Sequence, residues 1–331
     1  MTDQHNEKIE RRQFLSRSVK AGISIAAAGV ISAALYDKQG PKAAVVTESL
    51  VTLPDFSVPR QEGQTISIVK GPNRKATVAR AIELLGGIER FVAKGDSVAI
   101  KPNVAFASSP LLGATTNPEL VAEVVRLCYK AGAKKVIVTD NPINDPASCF
   151  TLSGIGKAAG GAGAVVVLPK PDHFRYTTLA GGKLIVNWPV FFEPLGKADK
   201  LIGIAPLKHH HRSGASMTMK NWYGLLGGRR NVFHQDINTI IAELAVLVKP
   251  TLVILDGTEV MVTNGPTGGS VSDLKRADTL IASSDMVAAD SYGCTLLGLT
   301  ASQLPYLAKA QIAGAGTTNY ESLKPILADV R

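Results

Sequence analysis

Short apolar runs alternate with helical segments along most of this 331-residue chain, and this order leaves few folds open. Strands are predicted at 65–69, 97–100, 135–139, 164–168, 201–205, 252–255 and 279–282, and helices at 75–85, 118–129, 155–162, 238–248 and 286–297. Short buried strands separated by helices are typical of a mostly parallel sheet with helices on its faces. The prediction is therefore an α/β fold, with one large domain or two lobes that enclose a cleft.

The amino-terminal segment differs in composition from the rest. Arg11 and Arg12 are followed by Phe14 and Leu15, and a few residues later by the uncharged, Ala- and Gly-rich stretch Ala21–Leu35. This order resembles a twin-arginine export signal, because a general secretory signal lacks the Arg-Arg-x-Phe-Leu core. The apolar stretch is shorter than the ~20 residues that a membrane-spanning helix needs. An amphipathic or buried helix is the alternative.

The domain organisation follows from these patterns. Residues 1–35 are predicted to be the signal segment, 36–63 a turn-rich linker, and 64–331 the α/β domain, with a β-rich insertion at 169–200 as an option. The expected location is periplasmic, after transport of the folded chain by the twin-arginine machinery. An uncleaved signal would leave the protein anchored, and this is the one segment that is expected to hold it at a membrane.

Composition narrows the ligand classes. The net charge is +9, with 36 basic and 27 acidic residues, which suits a small anionic ligand or a membrane surface, while a scattered, solvated basic surface is the alternative. Aromatic residues make up 5% of the chain and no basic run is interleaved with them, so no nucleic-acid partner is expected. The cysteines, Cys128, Cys149 and Cys294, are far apart, so no iron–sulfur cluster is expected from them.

Polar residues follow several predicted strands. Lys101 and Asn103 follow one strand, Asp140 a second and Asp256 another. Ligands of parallel sheets gather beyond the carboxyl ends of the strands, so these positions predict a site. Polar turn residues are also common there for structural reasons, and this alternative stays open.

The stretch from Lys208 to His234 is unusually rich in histidine and basic residues. His209, His210 and His211 are consecutive, and in an extended backbone His209 and His211 share a face while His210 points away. Imidazoles transfer protons or bind metals near neutral pH, whereas Lys208 and Lys220 favour an anion. A solvated basic loop is the structural alternative.

Two further segments stand out. The glycine-rich stretch from Asn264 to Gly269 could bring backbone N–H groups close to an anion, although an irregular turn explains it equally well. Asp285 has the position of a helix N-cap, and Asp290 follows it closely on the same helix.

Taken together, the motifs resemble a known family. They are Ile100–Asn103, Val138–Asp140, Pro206–His210, Met219–Gly224, Phe233–His234, Asp256–Gly257, Asn264–Pro266 and Ala289–Ser291, in the order found in the family called domain of unknown function 362. The resemblance covers about residues 64–316 and implies an α/β fold. Some members carry iron–sulfur modules, which this chain lacks.

A fainter similarity, at His211–Gly214 and Lys220, is to the nickel-pincer lactate racemase family, in which such a stretch holds a nicotinate-derived cofactor in an interlobe cleft.

The sequence thus predicts an exported protein that binds a small anion, cofactor or metal, with acid–base or redox chemistry. The alternatives are a non-catalytic periplasmic binding protein and an accessory factor of a redox complex. Candidate catalytic residues are His209, His211, His234 and Asp256, of which the three histidines would also bind a metal if one is present. Candidate ligand-binding residues are Lys101, Asn103, Asp140, Lys208, Lys220, Asn221 and Asn264.

Overall fold

The computed structural model describes residues 16–24, 26–27, 49–59 and 61–330. The chain divides into two units, residues 1–47 and 48–331. In the first unit, residues 16–24 form an exposed helix, α1, while Arg11, Arg12, Phe14 and Leu15 lie outside the described residues. Among the described helices, none combines the length and the apolar character that crossing a membrane requires.

The second unit is built on one large sheet. In the described part of the chain its nine strands are β1 (Ile66–Lys70), β2 (Ser97–Lys101), β3 (Lys135–Thr139), β4 (Val165–Val167), β7 (Lys200–His210), β8 (Gly214–Ser216), β9 (Leu252–Met261), β10 (Leu274–Ser283) and β11 (Ile326–Asp329). Eight of them lie in the order β11-β1-β10-β9-β7-β2-β3-β4, with β8 paired to β7. Strand β10 is antiparallel to both of its neighbours, and the other pairs along this order are parallel.

Helices cover both faces of the sheet. They are α2 (Arg74–Leu84), α3 (Pro118–Lys130), α4 (Pro146–Leu152), α5 (Ile155–Gly161), α6 (Thr218–Asn221), α7 (Ile237–Leu247), α8 (Met286–Leu296) and α9 (Pro305–Ile312). Apolar residues of α2, α3, α4 and α5 pack into one core cluster, and those of α6 to α9 into another. The predicted α/β fold with a mostly parallel sheet is confirmed.

Strand β7 shows why the central strands are apolar throughout. Ile202 and Ile204 belong to one core cluster, while Leu201 and Ala205 belong to the other, because successive side chains point to opposite faces. A strand that is covered on both faces therefore needs an apolar residue at nearly every position.

Several elements differ from the expected bounds. Strands β7 and β9 extend well beyond the predicted 201–205 and 252–255, so Lys208, His209 and His210 belong to β7 itself and Asp256 to β9. The predicted strands were too short because polar residues interrupt the apolar pattern inside β7 and β9. Residues 174–177 and 188–191 form a separate antiparallel pair, β5 (Phe174–Thr177) and β6 (Trp188–Phe191).

Candidate functional site

A pocket of about 590 Å³ lies where β2, β3 and β7 end, which is within the usual range for small-molecule sites. Loops after β2 and β3, the short helix α6, and the segment after β9 complete its wall. Ten of the eleven predicted site residues line it: Lys101, Asn103, Asp140, Lys208, His209, His211, Lys220, Asn221, His234 and Asn264.

Asp256 is the exception and is corrected here. It does not line this pocket, and its carboxylate Oδ2 lies 2.7 Å from Arg74 Nε. Its other oxygen accepts a hydrogen bond from the backbone N–H of Thr258. Asp256 lies within β9 and not at its end, and the order of the strands places it beside α2 instead of beside the histidines.

A buried ion pair forms the floor of the pocket. Lys101 Nζ lies 2.6 Å from Asp140 Oδ1, and the two side chains are 1% and 2% exposed. Asp140 also accepts hydrogen bonds from the backbone N–H groups of Val104 and Asn141, which holds both of its oxygens. Burial lowers the pKa of Lys101, and the adjacent carboxylate opposes that shift.

Asn221 connects this pair to the neighbouring strands. Its side-chain oxygen accepts from Lys101 Nζ at 3.1 Å and from Asn103 Nδ2 at 3.2 Å, while its amide donates to the backbone carbonyls of Lys101 and Ile204. All four contacts fix the orientation of the amide, so Asn221 serves to hold the pocket floor together.

Glycine residues make these contacts possible. A Cβ at Gly224 would collide with Asp140 Oδ1 and Lys101 Nζ, and a Cβ at Gly203 would lie 2.7 Å from the ring of Trp222. Only glycine leaves room for such a close approach at either position. Gly203 thereby lets Trp222, and with it α6, pack against the sheet.

Three further cations border the pocket. Lys208 is 1% exposed and donates to the carbonyl of Ala114 at 2.6 Å, and among the described residues it has no carboxylate partner. Burial and the charge of Lys220 lower the pKa of Lys208 to about 7. Arg230 donates to the carbonyls of Pro142, Leu226 and Tyr223. Asp140 is the one carboxylate among the residues that line the pocket.

Lys220 is the least engaged of these cations. Within the described part of the chain its Nζ has no hydrogen-bond or ion-pair partner, and it lies 5.3 Å from the centre of the Tyr223 ring. Burial, followed by the charge of Arg230, lowers its pKa to about 8. It is therefore mostly protonated at pH 7 and available to a ligand.

Three histidine rings form a stack along the wall. His210 lies 5.0 Å from His211 and 6.2 Å from His234, centre to centre, with nearly parallel planes. The expectation that His210 points away from the site is corrected, because β7 ends at His210 and the chain turns at 211–213. His210, Tyr223 and Arg230 are among the pocket-lining residues that the prediction missed.

The hydrogen bonds assign the neutral tautomers of two of these rings. His210 Nδ1 accepts from the backbone N–H groups of Arg212 and Ser213, so its proton is on Nε2. His234 Nδ1 faces the carbonyl of Asn231 and the hydroxyl oxygen of Tyr223. The Tyr223 hydroxyl donates to the carbonyl of Arg230, so His234 Nδ1 carries the proton and Nε2 the lone pair.

Burial sets the charge state of both rings. It lowers the pKa of His210 to about 2 and also lowers that of His234, with Lys220 adding to both shifts. Both rings are therefore neutral at pH 7. His210 is a hydrogen-bond donor through Nε2, and His234 is an acceptor through Nε2.

No metal centre is evident among these side chains. In the part of the chain that the structure describes, no three His, Cys, Asp or Glu side chains are arranged to hold a metal ion, and this includes His209, His211 and His234. Cys128, Cys149 and Cys294 are buried and free.

The fold and the pocket define an α/β protein with a cationic pocket at the carboxyl ends of its central strands. Residues 98–295 match the model of the family described as Domain of unknown function (DUF362), and the chain belongs to this family. A thylakoid-associated protein from Synechocystis is 29% identical over 260 residues, which cover 76% of this chain and 78% of that protein.

Two solved structures are similar at low identity. The lactate racemase apoprotein from Thermoanaerobacterium thermosaccharolyticum is 15% identical, with a TM-score of 0.41, and the match covers 74% of this chain and 58% of that one. A protein from Thermotoga maritima is 13% identical, with a TM-score of 0.34 over 58% of this chain and 52% of that one. The chain thus spans little more than half the length of either structure.

Proposed function

We propose that the pocket binds a small anion, such as a carboxylate or phosphate, and that the histidine wall exchanges a proton with it. The observation that carries this proposal is the charge balance. Lys101, Lys208, Lys220 and Arg230 border the pocket with Asp140, whose oxygens are already engaged.

An anion would complete this arrangement electrostatically. Lys208 and Lys220 have lowered pKa values because burial disfavours their charged forms, and for Lys208 the charge of Asp140 offsets that effect only in part. A bound anion would raise both pKa values and accept hydrogen bonds from Lys220, which has no such partner among the described residues. Charge-assisted hydrogen bonds of this kind are stronger than neutral ones.

The proposed proton acceptor is Nε2 of His234. The ring is neutral near pH 7, and Tyr223 and Asn231 hold its Nδ1–H, so the lone pair on Nε2 is the free one. Nε2–H of His210, on the same wall, is proposed to donate a hydrogen bond to the ligand, because a neutral imidazole does not release its remaining proton near pH 7. A neutral base beside a ligand held by cations suits removal of a proton from that ligand and its later return.

A binding protein without turnover is the second candidate. It is favoured by the absence of a free carboxylate among the residues that line the pocket, because both oxygens of Asp140 are occupied. In that case His234→Gln would leave affinity unchanged within about twofold and no chemical conversion of any bound anion would be found.

The test of anion binding uses titration calorimetry with inorganic phosphate, sulfate and oxalate at pH 7. Lys220→Met should weaken the anions that bind by about tenfold or more, the loss of a charged hydrogen bond. Lys309→Met is the matched control, because Lys309 is an exposed lysine on α9, and it should bind as the unaltered protein does. Equal affinity in the two variants would refute the assignment.

Export by the twin-arginine route is part of the same proposal. It is supported by Arg11, Arg12, Phe14 and Leu15, and by a relative that is described as thylakoid-associated. Replacing both arginines by lysine should leave the full-length protein in the cytoplasm. Cell fractionation measures this, and undiminished export of the variant would contradict it.

A further inference from the structure

The short helix α6 carries two of the pocket residues, Lys220 and Asn221, and is only four residues long. A helix of this length does not sustain itself, because its first N–H groups have no partners within the helix. The residue before it, Met217, makes no side-chain cap. The direction in which Lys220 enters the pocket therefore depends on a partner from elsewhere in the fold.

That partner is Asp290 on α8, which is fully buried at 0% exposure. Its Oδ1 accepts from the backbone N–H of Thr218 at 2.8 Å and from the Thr218 hydroxyl at 2.5 Å, and its Oδ2 accepts from the N–H of Met219 at 3.0 Å. The carboxylate thus caps α6 from a distant part of the chain. Its negative charge at the amino end of a helix is also favourable.

We propose that Asp290 is the positioning residue of the pocket: its carboxylate holds the first turn of α6 so that Lys220 and Asn221 face the ligand, and its protonation releases that turn. The inference rests on the proposed anion binding, which it extends by naming what controls affinity. Asp290 itself does not line the pocket.

The surroundings of Asp290 make such protonation accessible near neutral pH. Burial raises the pKa of Asp290 to about 7, against the lowering effect of the hydrogen bonds from α6, and Asp285 adds to the rise. The other titratable groups that face it are Cys294 on α8 and Tyr306 on α9. Burial raises the pKa of Cys294 to about 12 and that of Tyr306 well above its usual value, so both stay neutral between pH 5 and 9.

The sign of the pH effect follows from the hydrogen bonds. The Asp290 carboxylate accepts three hydrogen bonds. When it is protonated, one of its oxygens carries a hydrogen that points at a donor of α6, so that oxygen accepts less well. Lowering the pH through about 7 should therefore loosen α6 and weaken anion binding. Lys208 and Lys220 act in the opposite direction, because they gain charge as the pH falls through about 7 and about 8.

Global stability should respond to Asp290 in the opposite sense. Its pKa is higher in the folded chain than in the unfolded one, so its contribution to stability is present at low pH and is lost as the pH rises through about 7. Weaker binding at pH 5 is thus separable from unfolding. Protonation of Asp290 raises its contribution to the free energy of unfolding, although the same protonation weakens its hydrogen bonds to α6.

The experiment compares Asp290→Asn with Asp199→Asn between pH 5 and 9. The control carboxylate also accepts a backbone N–H, from Ser97 at 2.8 Å, but at the opposite ends of the strands. Two quantities are measured: hydrogen exchange of the peptide containing residues 218–221, corrected for the intrinsic rate, and the affinity for inorganic phosphate.

At pH 8 the Asp290→Asn variant should bind phosphate about tenfold more weakly than the unaltered protein and the control, the effect of losing a charged hydrogen bond, and should show less protection of residues 218–221. Both differences should close as the pH falls below about 7, because Asp290 then loses its charge, whereas the charges of Lys208, Lys220 and the phosphate itself change alike in all three proteins. Equal affinity of the three proteins at every pH, or a difference that does not change with pH, would overturn the inference.

Two arms keep the outcomes distinguishable. If inorganic phosphate does not bind the unaltered protein, the proposed function is in question. Hydrogen exchange of residues 218–221 then tests the inference by itself. Exchange that does not change with pH would contradict it. If Asp290→Asn does not fold, Thr218→Val replaces it, because this change removes only the hydrogen bond from the Thr218 hydroxyl. It should weaken phosphate binding about two- to fivefold and leave the pH dependence of the unaltered protein in place. No effect of Thr218→Val on exchange would contradict the proposed clamp.

Discussion

Two buried ion pairs lie toward the same carboxyl edge of the sheet, and they differ in their charge balance. At the pocket, Lys101 pairs with Asp140, but three more cations border the same space. On the other side of β7, Arg74 pairs with Asp256 at 2.7 Å and with Glu259 at 3.2 Å. The first cluster has surplus positive charge, and the second is compensated by its own carboxylates.

The proposed function rests on this difference. Arg74 joins the start of α2 to β9, and its two carboxylate partners compensate its charge. The pocket cluster leaves Lys220 without a partner among the described residues, so we propose that its charge is available to a ligand. Both regions contain buried polar residues, and the surplus positive charge is what distinguishes the pocket.

The largest loss in the free energy of unfolding is expected for Lys101→Met. The change leaves Asp140 buried without its cation and removes one of the contacts of Asn221. Breaking a buried pair in this way costs about 3–5 kcal/mol in the free energy of unfolding. Urea denaturation measures it. A loss below about 1 kcal/mol would mean that Asp140 is not held as a buried carboxylate.

The corresponding change on the other side, Asp256→Asn, should cost less. Arg74 is 15% exposed and keeps Glu259 as a partner, so its charge is not stranded. We expect a loss of about 1–2 kcal/mol, near that of one charged hydrogen bond, and unchanged binding of inorganic phosphate. Weaker phosphate binding in this variant would return Asp256 to the site.

The third prediction concerns Lys208→Met and pH. The pKa of Lys208 is lowered to about 7 in the fold, so the unaltered protein should gain stability as the pH rises from about 7 toward 10. The variant lacks this gain. The difference in the free energy of unfolding, variant minus unaltered protein, should therefore be more favourable to the variant at pH 6 than at pH 10, by at least about 1 kcal/mol. Parallel stability curves for the two proteins would argue against an uncompensated buried lysine.

The smallest effect is expected for Glu259→Gln. Glu259 is 48% exposed, and exposed ion pairs contribute about 0–1 kcal/mol. A change within about 0.5 kcal/mol in thermal or urea denaturation is expected. A loss as large as that of Asp256→Asn would show that the two carboxylates act as one unit.

Most of the fold was predictable because its signals are local. The apolar runs of β2, β3 and β9 and the helical spacing of α3 and α7 are each visible within a dozen residues. The N-cap Asp285 was also identifiable, since a cap is recognised by the residues that follow it. The lengths of β7 and β9 were not, because polar residues interrupt their apolar pattern.

The site was predictable in part. Lys101, Asp140 and Lys208 could be grouped because parallel strands end at one edge of a sheet. His210 was missed because an extended backbone was assumed through residue 211, whereas β7 ends at His210 and the chain turns there. The cap that Asp290 provides to α6 joins residues 72 positions apart, and no local pattern indicates it.

The α/β architecture, the position of Lys101 and Asp140 at strand ends and the abundance of basic side chains can be recognised from the chain alone, because each depends on short-range periodicity or composition. Which charges share a space is set only in the folded molecule. That depends on strand order, which placed Asp256 beside Arg74 and left Lys220 uncompensated beside Lys208. Electrostatic balance is set by distances between segments far apart in the chain, and those distances exist only after folding.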